Sequence, residues 1–338
     1  MRALDYYGAF QCLAGACPHS CCTGWEVEVD EETALRYFAV PGPLGDRLRA
    51  ALQHDGEGFV FPLNGGRCPF LDGEGLCEIH RLLGEAATSD TCRSHPRFIE
   101  DYGSFREVSL AASCPAACAL LLGSRGPLRI VEAAGEEPPC GEGDPWLAGL
   151  LPLRSRMLGL LEDRGLPLRR RLAAFLRLAW EAQILLDGGR GEDLAALAAA
   201  WEPEDGPAAE GPGLFPAALR FLRTLEALDP DWRALLARAE RAPAHTAPED
   251  LLERIACYFA FRYLLKAVND GDLLSRAQLC VLAALAVDRL AALTGLPEAL
   301  RRFCREIEHS QENLDALQDA FWQREELGPA RFWEELSL

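Results

Sequence analysis

Thiols carry the densest chemical signal in this sequence. Of thirteen cysteines in 338 residues, nine lie between positions 12 and 118. They run Cys12-x4-Cys17-x3-Cys21-Cys22, then Cys68-x8-Cys77, Cys92 and Cys114-x3-Cys118. Thiolates are soft donors suited to zinc and to iron–sulfur clusters. Structural zinc sites are assembled from paired ligands two to four residues apart. Here no Cys-x2-Cys pair occurs, and Cys68 and Cys77 stand too far apart for a zinc knuckle. An iron–sulfur cubane takes four cysteines at dispersed spacings. The turn-forming Asp72-Gly73-Glu74-Gly75 predicts a chain that folds Cys68 and Cys77 back toward each other. Adjacent cysteines point apart, so the expected ligands are Cys68, Cys77, Cys92 and one of Cys21 or Cys22. Cys12, Cys17 and Cys114 are reserves, for a second metal or a switchable ligand. His80 and His95 lie within these motifs as outer donors to such a site. Cys118, Cys257, Cys280 and Cys304 fall on helical patterns and read as small buried hydrophobes; Cys140 lies in a linker.

Three stretches must position these groups. Residues 1–122 form a loop-rich cysteine module, and the Pro, Gly and acid run of 123–145 reads as a linker. From 146 to 338 the pattern is helical. Leu168, Leu172, Phe175, Leu176 and Ala179 share one face at three- to four-residue spacing. A break follows at 201–213. Thr246 with Glu249 has capping-box spacing and predicts a helix that starts there and stops at Asn269-Asp270-Gly271-Asp272. Further helices are predicted over 273–293, 297–310 and 311–326. The expected fold is mostly α, a loop-rich cysteine and metal-cluster module packed on a helical bundle.

Composition narrows the setting. With 52 acidic and 34 basic residues the net charge is −18, and no basic patch offers itself to nucleic acid. Met1–Phe10 has no apolar run after a basic segment. The apolar stretch 279–293 is interrupted by Asp288 and Arg289 and is too short to span a bilayer. These features predict a cytoplasmic protein with no membrane insertion, where clustered thiols read as metal ligands before disulfides.

Phe10-Gln11-Cys12-Leu13-Ala14-Gly15-Ala16-Cys17-Pro18 and Cys21-Cys22-Thr23-Gly24-Trp25 resemble the opening of the flagellin lysine-N-methylase family. The resemblance continues in order through Gly66-Arg67-Cys68-Pro69-Phe70-Leu71, Gly75-Leu76-Cys77-Glu78-Ile79, Thr91-Cys92-Arg93-Ser94-His95-Pro96-Arg97 and Ser113-Cys114-Pro115. Part of this pattern is shared with a broader family of zinc- or iron-chelating proteins. The segments Phe261–Ala267, Asp270–Arg276 and Cys304–Ser310 resemble the methylases specifically. The resemblance implies methyl transfer from S-adenosylmethionine to lysine side chains of flagellin by an enzyme holding a 4Fe-4S cluster. The usual strand–GxGxG–helix signature of methyltransferases is missing, and Gly188-Gly189-Arg190-Gly191 follows a helical run instead. The alternative is a chelating protein without transferase activity.

Methylating a lysine requires its neutral amine, and a free lysine titrates near about 10.4. A base or a desolvating pocket is therefore needed. Tyr263, Asp270, Asp272, Glu308 and His309 are the candidate catalytic groups, with Tyr258 beside them. Arg262 and Arg276 could hold a carboxylate, such as that of the cofactor. Each has a plainer role available: helix packing for the tyrosines, turn formation for the aspartates, a solvated helix face for Glu306, Glu308 and His309.

Overall fold

The computed structural model describes residues 1–338 except 57, 125, 135–140, 204–213, 243–246 and 338. Cys140, Thr246 and most of the 201–213 break lie outside the described residues. The chain is mostly helical, as its apolar spacing predicts. Helix Leu168–Asp187 buries Leu168, Leu172, Phe175, Leu176 and Ala179, the face that their period selects. It packs with helices Leu147–Glu162 and Leu274–Thr294, and the latter lies along helix Glu249–Tyr263.

Helix Leu274–Thr294 is long and apolar enough to cross a bilayer by length and composition. Its place in the fold supplies the reason for that composition. Every residue from Leu274 to Ala284 is buried, and a helix enclosed on all sides is apolar all round. Asp288, which interrupts the apolar run, accepts the Ala247 amide at 2.8 Å. The preceding helix begins at Glu249, ends at Tyr263 and tightens into a 3₁₀ turn over Leu264–Val268 before Asn269. Helices Leu296–Glu308 and Gln311–Gln323 follow, the second capped by the Ser310 hydroxyl on the Asn313 amide.

The cysteine-bearing half also contains sheet. Four strands lie in the order Arg97–Asp101, Arg106–Leu110, Arg2–Leu4, Ile130–Glu132. Arg2–Leu4 runs parallel to Arg106–Leu110 and antiparallel to Ile130–Glu132, a strand drawn from within 123–145. Leu4, Tyr6 and Leu110 belong to the same apolar core as the bundle helices. A second, smaller core of Val27, Val29, Tyr37, Leu48, Phe61, Cys68, Phe70 and Ile79 lies apart from it. That core is covered by a three-stranded sheet, Val27–Val29, Phe59–Phe61 and Gln53–His54, and by helices Glu31–Ala39 and Gly42–Ala51.

Buried charge ties the larger sheet to the bundle. Glu107 on its second strand accepts both terminal nitrogens of Arg154 at 2.6 Å, and each side chain is 3 % exposed. Arg254 reaches the Leu121 and Gly126 carbonyls at 2.7 and 2.6 Å, fixing helix Pro115–Gly123 in the same way. Arg154→Met strands the Glu107 carboxylate in the core and is expected to destabilise the fold by about 3–5 kcal/mol. Replacing both partners by apolar residues should recover most of that loss in urea unfolding; equal loss in the double variant would refute the assignment.

Candidate functional site

The cysteine motifs fold as tight turns. Between Cys68 and Cys77, Asp72 accepts the Glu74 and Leu76 amides at 2.9 Å, Gly75 takes φ +75°, and Leu71 pairs with Cys77 as an antiparallel bridge. The Cys68 amide donates to the Cys22 carbonyl at 2.8 Å, bringing the double-cysteine turn alongside. Ser89 caps the short helix that carries Cys92, and Asp30 accepts the Asp90 amide at 2.8 Å, tying that helix to the small core. Cys22 is the centre of the group. A hydrogen bond from Cys21 pulls its thiol down to about 7, while Cys21, the donor, is raised. Burial pushes Cys68 up to about 12, and charge on Cys22, Cys92 and Cys77 adds to it. Cys77 and Cys92 are raised by the protein crowding them and then by the charge of Cys22.

Cys21, Cys22, Cys68, Cys77 and Cys92 therefore share one electrostatic neighbourhood. Cys114 feels Cys17 and Cys12, and Cys12 also acts on Cys21. Among the described residues, no three of His, Cys, Asp and Glu enclose an ion-sized site as they stand. Cys118, Cys257, Cys280 and Cys304 are buried packing residues, as their helical positions predict.

A second set lies where this half meets the bundle. Glu308 has a fully buried side chain and binds Arg262 Nε at 2.7 Å. Tyr258 and Tyr263 donate their hydroxyls to it at 3.0 and 3.1 Å, and burial pushes both phenols far up, so they remain donors. Arg262 also donates to Ser109 Oγ at 3.0 Å, and Tyr258 accepts the Ala112 amide at 3.1 Å. His309, next along the chain, shares a 2.7 Å hydrogen bond with Ser113 and stacks on Trp25, ring centroids 5.1 Å apart. Burial lowers His309 to about 3 and His95 to about 4, so both rings are neutral near pH 7. Arg305 lies over Trp25 and against Gly24, where a Cβ would come within 1.9 Å of its guanidinium. Glu306 is also buried and accepts the Leu228 and Asp229 amides, both at 2.8 Å. The face of Glu306 and Glu308 is thus internal.

Asp270, Asp272 and Arg276 lie elsewhere. Arg276 grips Asp270 through two bonds of 2.9 and 2.7 Å and reaches the Asp272 carbonyl, while Asp272 accepts from Ser275. This turn borders an open cleft of two adjoining hollows, about 370 and about 420 Å³, sharing Trp146, Asp270 and Gly271. Trp322 and Asp187 line the first hollow and Asp144 the second. Gln183 holds the turn in place: its amide donates to Asp187 and Gly271 and accepts the Leu273 and Leu274 amides. The Gly188–Gly191 run packs its last glycine against the Trp146 ring. The sequence motifs include Trp25 and Ser113 but assign them no role, and Trp146, Gln183, Asp187 and Trp322 lie outside the predicted site residues. Gln183 carried a signal, since 172, 176, 179 and 183 mark one helix face and a polar residue there must find buried partners.

The flagellar biosynthetic protein FliU of Salmonella muenchen is 34% identical over 114 residues, 31% of this chain and 67% of that protein. The lysine-N-methylases of Salmonella typhimurium and Salmonella choleraesuis are each 31% identical over 131 residues, 36% of this chain. The match spans 32% of the methylases' own length, about a third. No family model and no solved structure matches.

Two measurements test the internal network. An unfolded His309 titrates near its ordinary 6.5, whereas the folded residue does so near 3, so falling pH favours unfolding below about 6.5. His309→Gln should flatten the stability slope between pH 6.5 and 3 by up to about 1.4 kcal/mol per pH unit, the value for one proton. An unchanged slope would show that His309 charges in the fold. Gly24→Ala meets both a φ of +87° and the Arg305 side chain, and should lower stability by at least about 1–2 kcal/mol in urea unfolding.

Proposed function

We propose that this chain, which belongs to the family of FliU and the lysine-N-methylases, transfers methyl groups from S-adenosylmethionine to lysine side chains of flagellin. The observation that carries the reading is the gathering of Cys21, Cys22, Cys68, Cys77 and Cys92 from separate segments of a member of that family. Five soft thiol donors suit an iron–sulfur cluster better than a hard cation. Cys68, Cys77, Cys92 and one of Cys21 or Cys22 would hold a 4Fe-4S cluster, which when bound supplies one-electron chemistry.

The methyl donor is an onium cation bearing a purine and an amino-acid head. Indole faces and carboxylates suit such a molecule, and the hollow walled by Trp146, Asp144 and Asp270 has both. S-adenosylmethionine supplies a methyl group on a sulfonium leaving group. The lysine must first lose a proton, and in this reading the carboxylates of Asp270 and Asp272, both of which line the cleft, accept it. Arg276 holds Asp270 in place. Tyr263, Glu308, Arg262 and His309 are enclosed, so their role is to position the cysteine-bearing half on the bundle.

The decisive test incubates the anaerobically purified chain with flagellin and methyl-labelled S-adenosylmethionine. Label in flagellin lysines, with iron and sulfide bound to the chain, is the expected result. Cys68→Ser and Cys92→Ser should lose most of the iron, and Cys257→Ser should keep it. No transfer by a chain with its cluster intact would remove the methylase reading. A colourless chain with stoichiometric zinc would remove the cluster.

A further inference from the structure

The cleft beside Trp146 has a composition that restricts what can enter it. Asp144, Asp187, Asp270 and Asp272 line the two hollows, and among the described residues no basic one lines either. Arg276 pairs with Asp270, whereas Asp144, Asp187 and Asp272 accept hydrogen bonds from neutral donors, the Trp146 amide, Gln183, and Ser275 with Trp322. The field over both hollows therefore favours a species of net positive charge over a net anion. Two indoles, Trp146 and Trp322, stand among these acids. Trp322 is 50 % exposed and anchored edge-on through its Nε1, which donates to Asp272 at 3.3 Å. Aromatic faces beside carboxylates bind alkylammonium groups, methylated ones included, through cation–π attraction and charge.

The approach to the cleft is apolar and elongated. Trp180, Ile184 and Asp187 recur at helical spacing, so they form one stripe along helix Leu168–Asp187 that leads to the first hollow. Ile184 is 58 % exposed and Trp180 38 %, with Trp333 packed edge-to-face on Trp180. A small cation would use the hollow alone. A stripe of exposed apolar side chains ending in an acidic aromatic hollow fits a polypeptide with an apolar stretch beside a lysine.

We propose that the cleft between Trp146 and Trp322 receives a lysine side chain of the substrate protein, whose neighbouring residues lie along Trp180 and Ile184. The proposal deepens the methylase reading and rests on it for the identity of the substrate. The ammonium enters between the indoles, within reach of Asp187 and Asp272, and a methylated product remains compatible with the same aromatic walls.

The test measures binding without any methyl donor. The intact chain is titrated, by calorimetry, with a short peptide holding one lysine beside apolar residues, and with its trimethyl-lysine and acetyl-lysine forms. The lysine and trimethyl-lysine peptides should bind, and the neutral acetyl-lysine form should bind at least tenfold more weakly. Trp322→Ala and Asp187→Asn, both at exposed positions, should each weaken the lysine peptide fivefold or more and leave the thermal unfolding midpoint unchanged. Affinity for S-adenosylmethionine should not move in Trp322→Ala. Equal binding of the acetylated peptide, or full affinity in both variants, overturns the proposal, as does a loss confined to S-adenosylmethionine. A chain that binds the lysine peptide yet transfers no methyl group retains the cleft and loses only the methylase reading. Transfer that survives Trp322→Ala and Asp187→Asn at full efficiency does the reverse.

Discussion

A carboxylate with no access to water must be answered by charge and hydrogen bonds, and Glu308 is such a carboxylate. Breaking a buried pair leaves an uncompensated charge, so its partners are held to a narrow geometry. Arg262 supplies the charge, Tyr258 and Tyr263 the hydroxyls, and Arg262 passes the constraint on to Ser109. Helix Glu249–Tyr263, helix Leu296–Glu308 and strand Arg106–Leu110 are thereby locked to one another. Beside them, the Ser113–His309 hydrogen bond and the Trp25 stack carry the same registration to the turn that holds Cys21 and Cys22.

The two ends of the sequence consequently have a shared reason for their composition. Gly24 follows the double cysteine because Arg305 occupies the space where a side chain would stand. Arg305 in turn lies over Trp25, the next residue. Motifs nearly 300 residues apart are thus two sides of one contact. The cysteine turns also depend on the small apolar core, into which Cys68 itself is packed. Thiols in such a setting are presented from well-braced turns, which suits ligands more than packing residues.

Function divides between enclosed and open places. The network around Glu308 is enclosed, and its carboxylate is already answered by Arg262, Tyr258 and Tyr263. The cleft at Trp146 is open, acidic and aromatic, and Gln183 holds its rim with four hydrogen bonds. An acidic protein draws basic partners from a distance. The cleft concentrates that general field at one place.

The helices and their buried faces were legible in the sequence, because a 3.6-residue period states which side of each helix meets apolar neighbours. Helix Leu274–Thr294 lies within one residue of its predicted bounds at each end, and helix Leu168–Asp187 buries the face its period selects. The turn between Cys68 and Cys77 was legible too, since Asp and Gly carry their backbone preferences locally. The order of the cysteines and the C-terminal segments were enough to suggest the family. Tertiary structure alone decided how the candidate residues divide. Arg262, Tyr263, Glu308 and His309 meet in the interior, whereas Asp270 and Asp272, close to Arg262 in sequence, open onto the cleft, and the buried Arg276 pairs with Asp270. Helical period names a face and not the neighbour that fills it, and the neighbours here come from strands and turns more than a hundred residues away. For the same reason no local pattern could bring Trp146, Asp187 and Trp322 to one hollow.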